Sequence, residues 1–148
     1  MSLQEQVTQQ LKTAMKAKDS VALESLRAIK SAILLTQTQA GAKDLTAEDE
    51  IKLVQKLVKQ RKDSAEIFRQ QGRIDLAEPE EAQIRIIEQF LPEQLDKAAI
   101  AKIIEDIITK TNAEGMKDMG KVMGMATKAM AGKADGKTIS NIVRQKLA

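Results

Sequence analysis

Wherever apolar residues recur in this 148-residue chain, they fall three or four apart. No stretch alternates apolar with polar for the length of a strand. Helices bury a stripe at that spacing and strands need a period of two, so the pattern predicts an all-α fold. Leu3, Val7, Leu11 and Met15 line a first helix that breaks at Lys18-Asp19-Ser20. Ala22, Leu26, Ile29 and Ile33 line a second, ended by Gly41 and the polar residues to Asp44. The third opens at Thr46, where Thr46-Ala47-Glu48-Asp49 reads as a capping box with Asp in place of Glu. It carries Ile51, Val54, Leu57, Val58, Ala65 and Phe68 as far as Gly72. Its charged face, Lys59, Arg61, Lys62 and Arg69 against Asp63 and Glu66, reads as solvated surface.

Gly72 to Ala77 reads as a connector, and Pro79 as a first-turn proline opening a fourth helix with Ile84, Ile87, Phe90 and Leu91 inward. Proline disfavours helical geometry in the residue before it, so Leu91-Pro92 marks a domain boundary. Residues 1–92 form an N-terminal four-helix body and 93–148 a three-helix domain. Asp96 caps the fifth helix (Ile100, Ile103, Ile104, Ile107, Ile108), which ends at Thr111-Asn112 and Gly115. Asp118 caps the sixth, with Met119, Val122, Met123, Ala126 and Met130 inward and Gly132 past its end. Asp135 caps the seventh (Ile139, Ile142, Val143, Leu147).

The chain contains neither cysteine nor histidine. Disulfides, thiolate nucleophiles, imidazole bases and the usual zinc ligands are thereby excluded, and no metal or cofactor is expected. No apolar run is long enough to span a bilayer. The N-terminus lacks a basic n-region and an apolar core, so the expected location is the cytoplasm. Paired acids such as Glu80-Glu81 and Glu105-Asp106 are adjacent on helices and diverge, and no nucleophile arrangement is recognisable.

Charge is distributed unevenly. From Gly115 onward, seven basic residues face Asp118 and Asp135 alone, a net +5 in a chain of net +3. Four of the seven glycines, Gly120, Gly124, Gly132 and Gly136, lie between Lys117 and Thr138. Gly136-Lys137-Thr138 resembles the end of a phosphate loop. However, position 131 is Ala, Gly132 is one residue late, and no strand precedes it. A helix N-terminus capped by Asp135 is the better reading. Lys117, Lys121 and Lys128 fall near one face if all three are helical, with Lys133 and Lys137 at the adjoining turn. Such a cluster neutralises phosphates, or is ordinary solvated surface. Without aromatic residues beside it, an RNA contact would read backbone and shape. Gly120 and Gly124, four apart, fit close helix–helix packing or the approach of an RNA backbone or partner helix. Met116, Met119, Met123, Met125 and Met130 fit core and lid positions better than a binding groove.

Several ordered words resemble the YqeY-like (GatB/YqeY) family over nearly the whole chain. They are Leu26-Arg27-Ala28-Ile29-Lys30, then Gly72-Arg73-Ile74-Asp75-Leu76-Ala77 with the acids after it, then Phe90-Leu91-Pro92-Glu93-Gln94-Leu95. Lys117-Asp118-Met119-Gly120-Lys121-Val122-Met123-Gly124 and Asp135-Gly136-Lys137 follow. Phe90 stands where the family often has tyrosine. The resemblance implies a C-terminal part like the tail domain of the B subunit of the tRNA-dependent amidotransferase, a small helical domain that contacts the tRNA body. The glutaminase and phosphorylating sites of that enzyme lie elsewhere. The expected function is therefore that of a tRNA-binding accessory without a catalytic site. Its expected contacts are Lys117, Lys121, Lys128, Lys133, Lys137, Gly120 and Gly124, and an amidotransferase or synthetase subunit is a further expected partner. The alternatives are a helical adaptor docking on a partner subunit, and a carbon–nitrogen ligase with glutamine as amido-N-donor.

Overall fold

The computed structural model describes residues 1–39, 41 and 44–148. Among them there is no strand, and seven α-helices follow in order. These are α1 (Leu3–Ala17), α2 (Ser20–Gln39), α3 (Ala47–Gln70), α4 (Ile74–Ile87), α5 (Lys97–Thr111), α6 (Met119–Ala129) and α7 (Gly136–Leu147). Short 3-10 turns occupy Glu88–Phe90 and Met116–Asp118. The chain divides into two compact units, Met1–Leu91 and Pro92–Ala148.

In the first unit, α3 and α4 form the most extensively packed pair, and α2 packs against both α1 and α4. Leu26, Ile29, Ile33, Val54 and Ile87 are at most 2% exposed at the centre. Each such aliphatic side chain contributes about 1.5–3 kcal/mol of burial. The stripe of α1 departs from its expected course, because Met15 is 60% exposed and Ala14 is buried in its place. Residues spaced by four drift about 40° per step on a helix of 3.6 residues per turn, so three steps carry Met15 off the inner face. The predicted box at Thr46 is present in full. Asp49 N–H donates to Thr46 Oγ1 and Thr46 N–H to Asp49 Oδ2, both at 3.1 Å. A second box, Ser2 with Glu5, caps α1, and Asp19 Oδ1 accepts from Ala22 N–H at the start of α2. Helix α2 runs to Gln39. Of the polar stretch expected to end it, Ala42 and Lys43 lie outside the described residues.

The start of α4 differs from the expectation. The helix begins at Ile74, so the connector shortens and Pro79 sits at its sixth position rather than in its first turn. Gly72 adopts a left-handed φ of 72°, a region open to glycine at little cost. That conformation lets Arg73 N–H reach Phe68 C=O at 2.7 Å. The chain reverses at once, and the helix is under way before the proline. Leu76 and Ala77 N–H both donate to Arg73 C=O at 3.1 Å. The proline forgoes only the bond that its own N–H would have given Asp75.

In the second unit each of the three helices packs on the other two. Ile104, Val122, Ala126, Met130 and Val143, all 0% exposed, fill the centre. Asp96 and Asp135 cap α5 and α7 as expected, accepting from Ala99 N–H at 2.8 Å and Thr138 N–H at 2.7 Å. Asp118 does not cap α6. It ends the 3-10 turn, and its Oδ2 accepts from Glu114 N–H at 2.9 Å. Asn112, left-handed at φ 52°, closes α5.

Candidate nucleic-acid interface

The basic segment sits on α6 and the loops at its two ends. On a helix turning about 100° per residue, Thr127, Gly120, Gly124, Lys128, Lys121 and Met125 share one arc of about 160°. All six are exposed. Val122 and Ala126 face the core from the opposite side. Lys117 lies in the 3-10 turn ahead of α6, also exposed, with its Nζ 3.7 Å from Glu114 Oε2. Both partners are more than 70% exposed, so solvent screens that pair and another anion can replace Glu114. Lys121 and Lys128 make no ion pair among the described residues.

The glycines resolve differently from the close-packing expectation. A Cβ added at Gly120 or Gly124 would meet nothing within 4 Å, so among the described residues of this unit neither glycine serves the close approach of α5 or α7. Gly124, inside the helix, costs about 1 kcal/mol relative to alanine, whereas Gly120 is the second residue of α6. The two glycines leave a bare lane of backbone beside Lys121 and Lys128. The methionines divide. Met130 is fully buried, Met119 and Met123 are half-buried, and Met116 and Met125 are 47% and 40% exposed.

Lys133 and Lys137 lie beyond α6, Lys133 in the loop before α7 and Lys137 in the first turn of α7, both exposed. Gly132, with φ 77°, turns the chain there. The loop is tied down by the segment that precedes α5. Gln94 Nε2 donates to Gly132 C=O at 2.7 Å, and Leu95 N–H donates to Lys133 C=O at 2.9 Å. Gln94 also donates to Pro92 C=O at 2.7 Å. Sequence reasoning missed this support, although Gln94 and Leu95 lie in one family word and Gly132 and Lys133 lie within three residues of the start of another. A second network went unseen in the first unit. Arg61 Nε donates to Gln83 Oε1 at 2.9 Å, and Gln83 Nε2 to Glu24 Oε2 at 3.3 Å, joining α3, α4 and α2.

Shifted ionisations concentrate on the first unit. Arg69 makes a two-pronged pair with Glu81, its Nη2 2.8 Å from Oε2. Those hydrogen bonds hold the Glu81 carboxyl below its ordinary value. Hydrogen bonds from Arg73 do the same for Asp75, and the cap bonds from Thr46 do so for Asp49. Among the described residues no group of His, Cys, Asp or Glu is gathered to hold a metal ion, and no helix is long and apolar enough to cross a membrane.

Residues 4–147 match the sequence model of the Yqey-like proteins. The chain belongs to the Yqey-like protein family. This Yqey-like chain is 30% identical over 139 residues to "Altered inheritance of mitochondria protein 41, mitochondrial" of Pyrenophora tritici-repentis, across 91% of its own length and 75% of that protein's. It is 42% identical over 93 residues to the Lachancea thermotolerans protein of the same name, 63% of its own length and 49% of the relative's. It therefore spans three quarters of one relative and about half of the other. It is also 31% identical over 108 residues to the glutamyl-tRNA(Gln) amidotransferase E subunit of Thermococcus sibiricus, 70% of its own length but 17% of that protein's. The kinship with an amidotransferase thus holds, through an E subunit where the resemblance points to a B subunit. The cytoplasmic expectation is overturned, because four of the relatives carry a mitochondrial designation. Missing cysteines and a non-secretory N-terminus, the grounds for that expectation, do not separate cytosol from mitochondrial matrix.

Proposed function

We propose that this Yqey-like protein is a tRNA-binding accessory related to amidotransferase subunits, with the exposed arc of α6 and the loop that follows as its contact surface. The reading rests chiefly on Gly120 and Gly124, which open onto empty space on the face that carries Lys121 and Lys128. Bare backbone beside unpaired cations admits a phosphate chain close to the helix. The lysines supply the counterion-releasing contacts that dominate nucleic-acid affinity. The kinship with a protein named for glutamyl-tRNA(Gln) supports tRNA as the nucleic acid.

The test is a salt titration of tRNA binding. Three to five phosphate contacts give a log–log slope of about −2 to −4, at roughly −0.7 to −0.9 per contact. The Lys117→Ala/Lys121→Ala/Lys128→Ala variant should bind more weakly and with a flatter slope. Superimposed titrations, or no binding at low salt, would refute the reading. The adaptor alternative would then lead, favoured by the exposed Met116 and Met125 of this segment, because methionine-rich surfaces accommodate varied partners.

A further inference from the structure

The first unit carries a surface that the RNA reading does not use. Helix α2 meets α3 far less than it meets α1 or α4, and the two diverge around a groove of about 440 Å³. Its apolar lining is Ala32 and Leu35 from α2 with Leu53 and Leu57 from α3. Leu35 is 60% exposed, which is unusual for a leucine set beside a core. Along α3 the groove runs from Asp49 to Gln60, about 16 Å or three helical turns at ~1.5 Å per residue.

Its α3 rim is basic. Lys52 and Lys56, one turn apart, line it, and Lys59 continues the row one turn further on. Lys56 and Lys59 make no ion pair among the described residues. Lys52 pairs with Glu48 at 3.2 Å, both side chains about 70% exposed or more, and also interacts with Asp49; a better-placed carboxylate can displace Glu48. The one acid among the described lining residues, Asp49, is committed to capping α3.

We infer that this groove docks an amphipathic helix of a partner protein, about three turns long, with leucine-like residues on one face and acidic residues along one edge. A groove of this kind between two helices takes a third helix through anchors at i, i+3 or i+4, and i+7, and Leu53 and Leu57 stand one such step apart. Acidic flanks would meet Lys52, Lys56 and Lys59 and fix the direction of docking. Nucleic acid fits poorly, because the floor is aliphatic and contains no aromatic ring on which a base could stack. The inference stands independently of the RNA reading.

The experiment uses the full chain and two helical peptides of about 15 residues. One has leucines along one face flanked by glutamates, and the other has lysines in place of the glutamates. Fluorescence anisotropy should show the glutamate peptide binding about tenfold or more tighter than the lysine peptide. The Lys52→Glu/Lys56→Glu variant should reverse that order. Leu35→Asp, at a position too exposed to unfold the unit, should weaken the glutamate peptide by a similar factor with an unchanged circular dichroism spectrum. The inference falls if neither peptide binds, if the two bind equally, or if Leu35→Asp has no effect. It also falls if sedimentation shows a dimer that Leu35→Asp dissociates, since a second copy would then be the occupant.

Discussion

Gln94 and Gly132 are 38 positions apart and joined by a 2.7 Å hydrogen bond, from the Gln94 side-chain amide to the Gly132 carbonyl. With the neighbouring Leu95–Lys133 bond, it clasps the loop that presents Lys133 to the segment leading into α5. A buried carbonyl left without its donor costs about 1–3 kcal/mol, and Gly132 is buried. Gln94→Ala should therefore lower the unfolding free energy by about 1–2 kcal/mol in urea titration. It should also speed amide exchange at Lys133. Unchanged stability with unchanged exchange would mean that the Leu95 bond suffices alone.

The glycine lane makes a prediction with two opposite signs. Because an added Cβ meets no atom, Gly120→Ala and Gly124→Ala should each stabilise the protein by up to about 1 kcal/mol. Gly124→Leu should also fold, yet bind tRNA more weakly, because its side chain fills the lane. If Gly124→Leu binds tRNA as the wild type does, nothing approaches that backbone.

The Arg69–Glu81 pair sets a pH dependence. Hydrogen bonds from Arg69 depress the Glu81 carboxyl below its ordinary value near 4.5. A group depressed in the folded state adds stability that is complete above its unfolded value and is lost as pH falls through the folded one. Wild-type stability should thus decline on acidification below about pH 4.5 more steeply than that of Glu81→Gln. The two curves should run parallel at neutral pH. Thermal melts across that range provide the comparison.

Much of this fold was legible because each helix announces itself by stripe and cap. Asp96, Asp135 and the Thr46–Asp49 box act where the sequence places them, since a cap joins residues three apart and needs no tertiary information. Some errors are local: Met15 leaves the inner face because a spacing of four drifts off a 3.6-residue period, and Gly72, seven positions before Pro79, already reverses the chain so that the helix starts ahead of the proline. Others depend on distant residues. Whether Gly120 and Gly124 meet another helix depends on what lies opposite, and spacing within α6 cannot encode that. The basic arc itself was readable, because Lys121, Gly124 and Lys128 share a face through helical period alone. The clasp from Gln94 was not, because it spans an intervening pair of helices.

Pro92–Ala148 should fold when expressed alone, since its core is drawn from its own three helices. A cooperative thermal transition followed by circular dichroism would establish this. A disordered fragment would place the boundary elsewhere.

Purified protein is expected neither to hydrolyse glutamine nor to amidate Glu-tRNA in the presence of ATP. Turnover that follows the protein through a final column and disappears with a point mutation would overturn that expectation and revive the ligase alternative.

Helix α6 differs from its two neighbours in a way that bears on motion. Where α5 and α7 each start on an aspartate cap, α6 has none, and it holds two glycines in eleven residues. Gly124, inside the helix, costs it about 1 kcal/mol relative to alanine, while the N–H groups of Asp118 and Met119 are taken by the preceding 3-10 turn. Of the three, α6 should loosen first at its exposed face, while Val122 and Ala126 tie its inner face to the core of the unit. A ligand that requires it formed selects the closed fraction, and its apparent dissociation constant rises as that fraction falls. If the proposed tRNA contact forms on α6, its affinity should therefore fall with temperature well below the melting point, and bound tRNA should slow amide exchange in this helix.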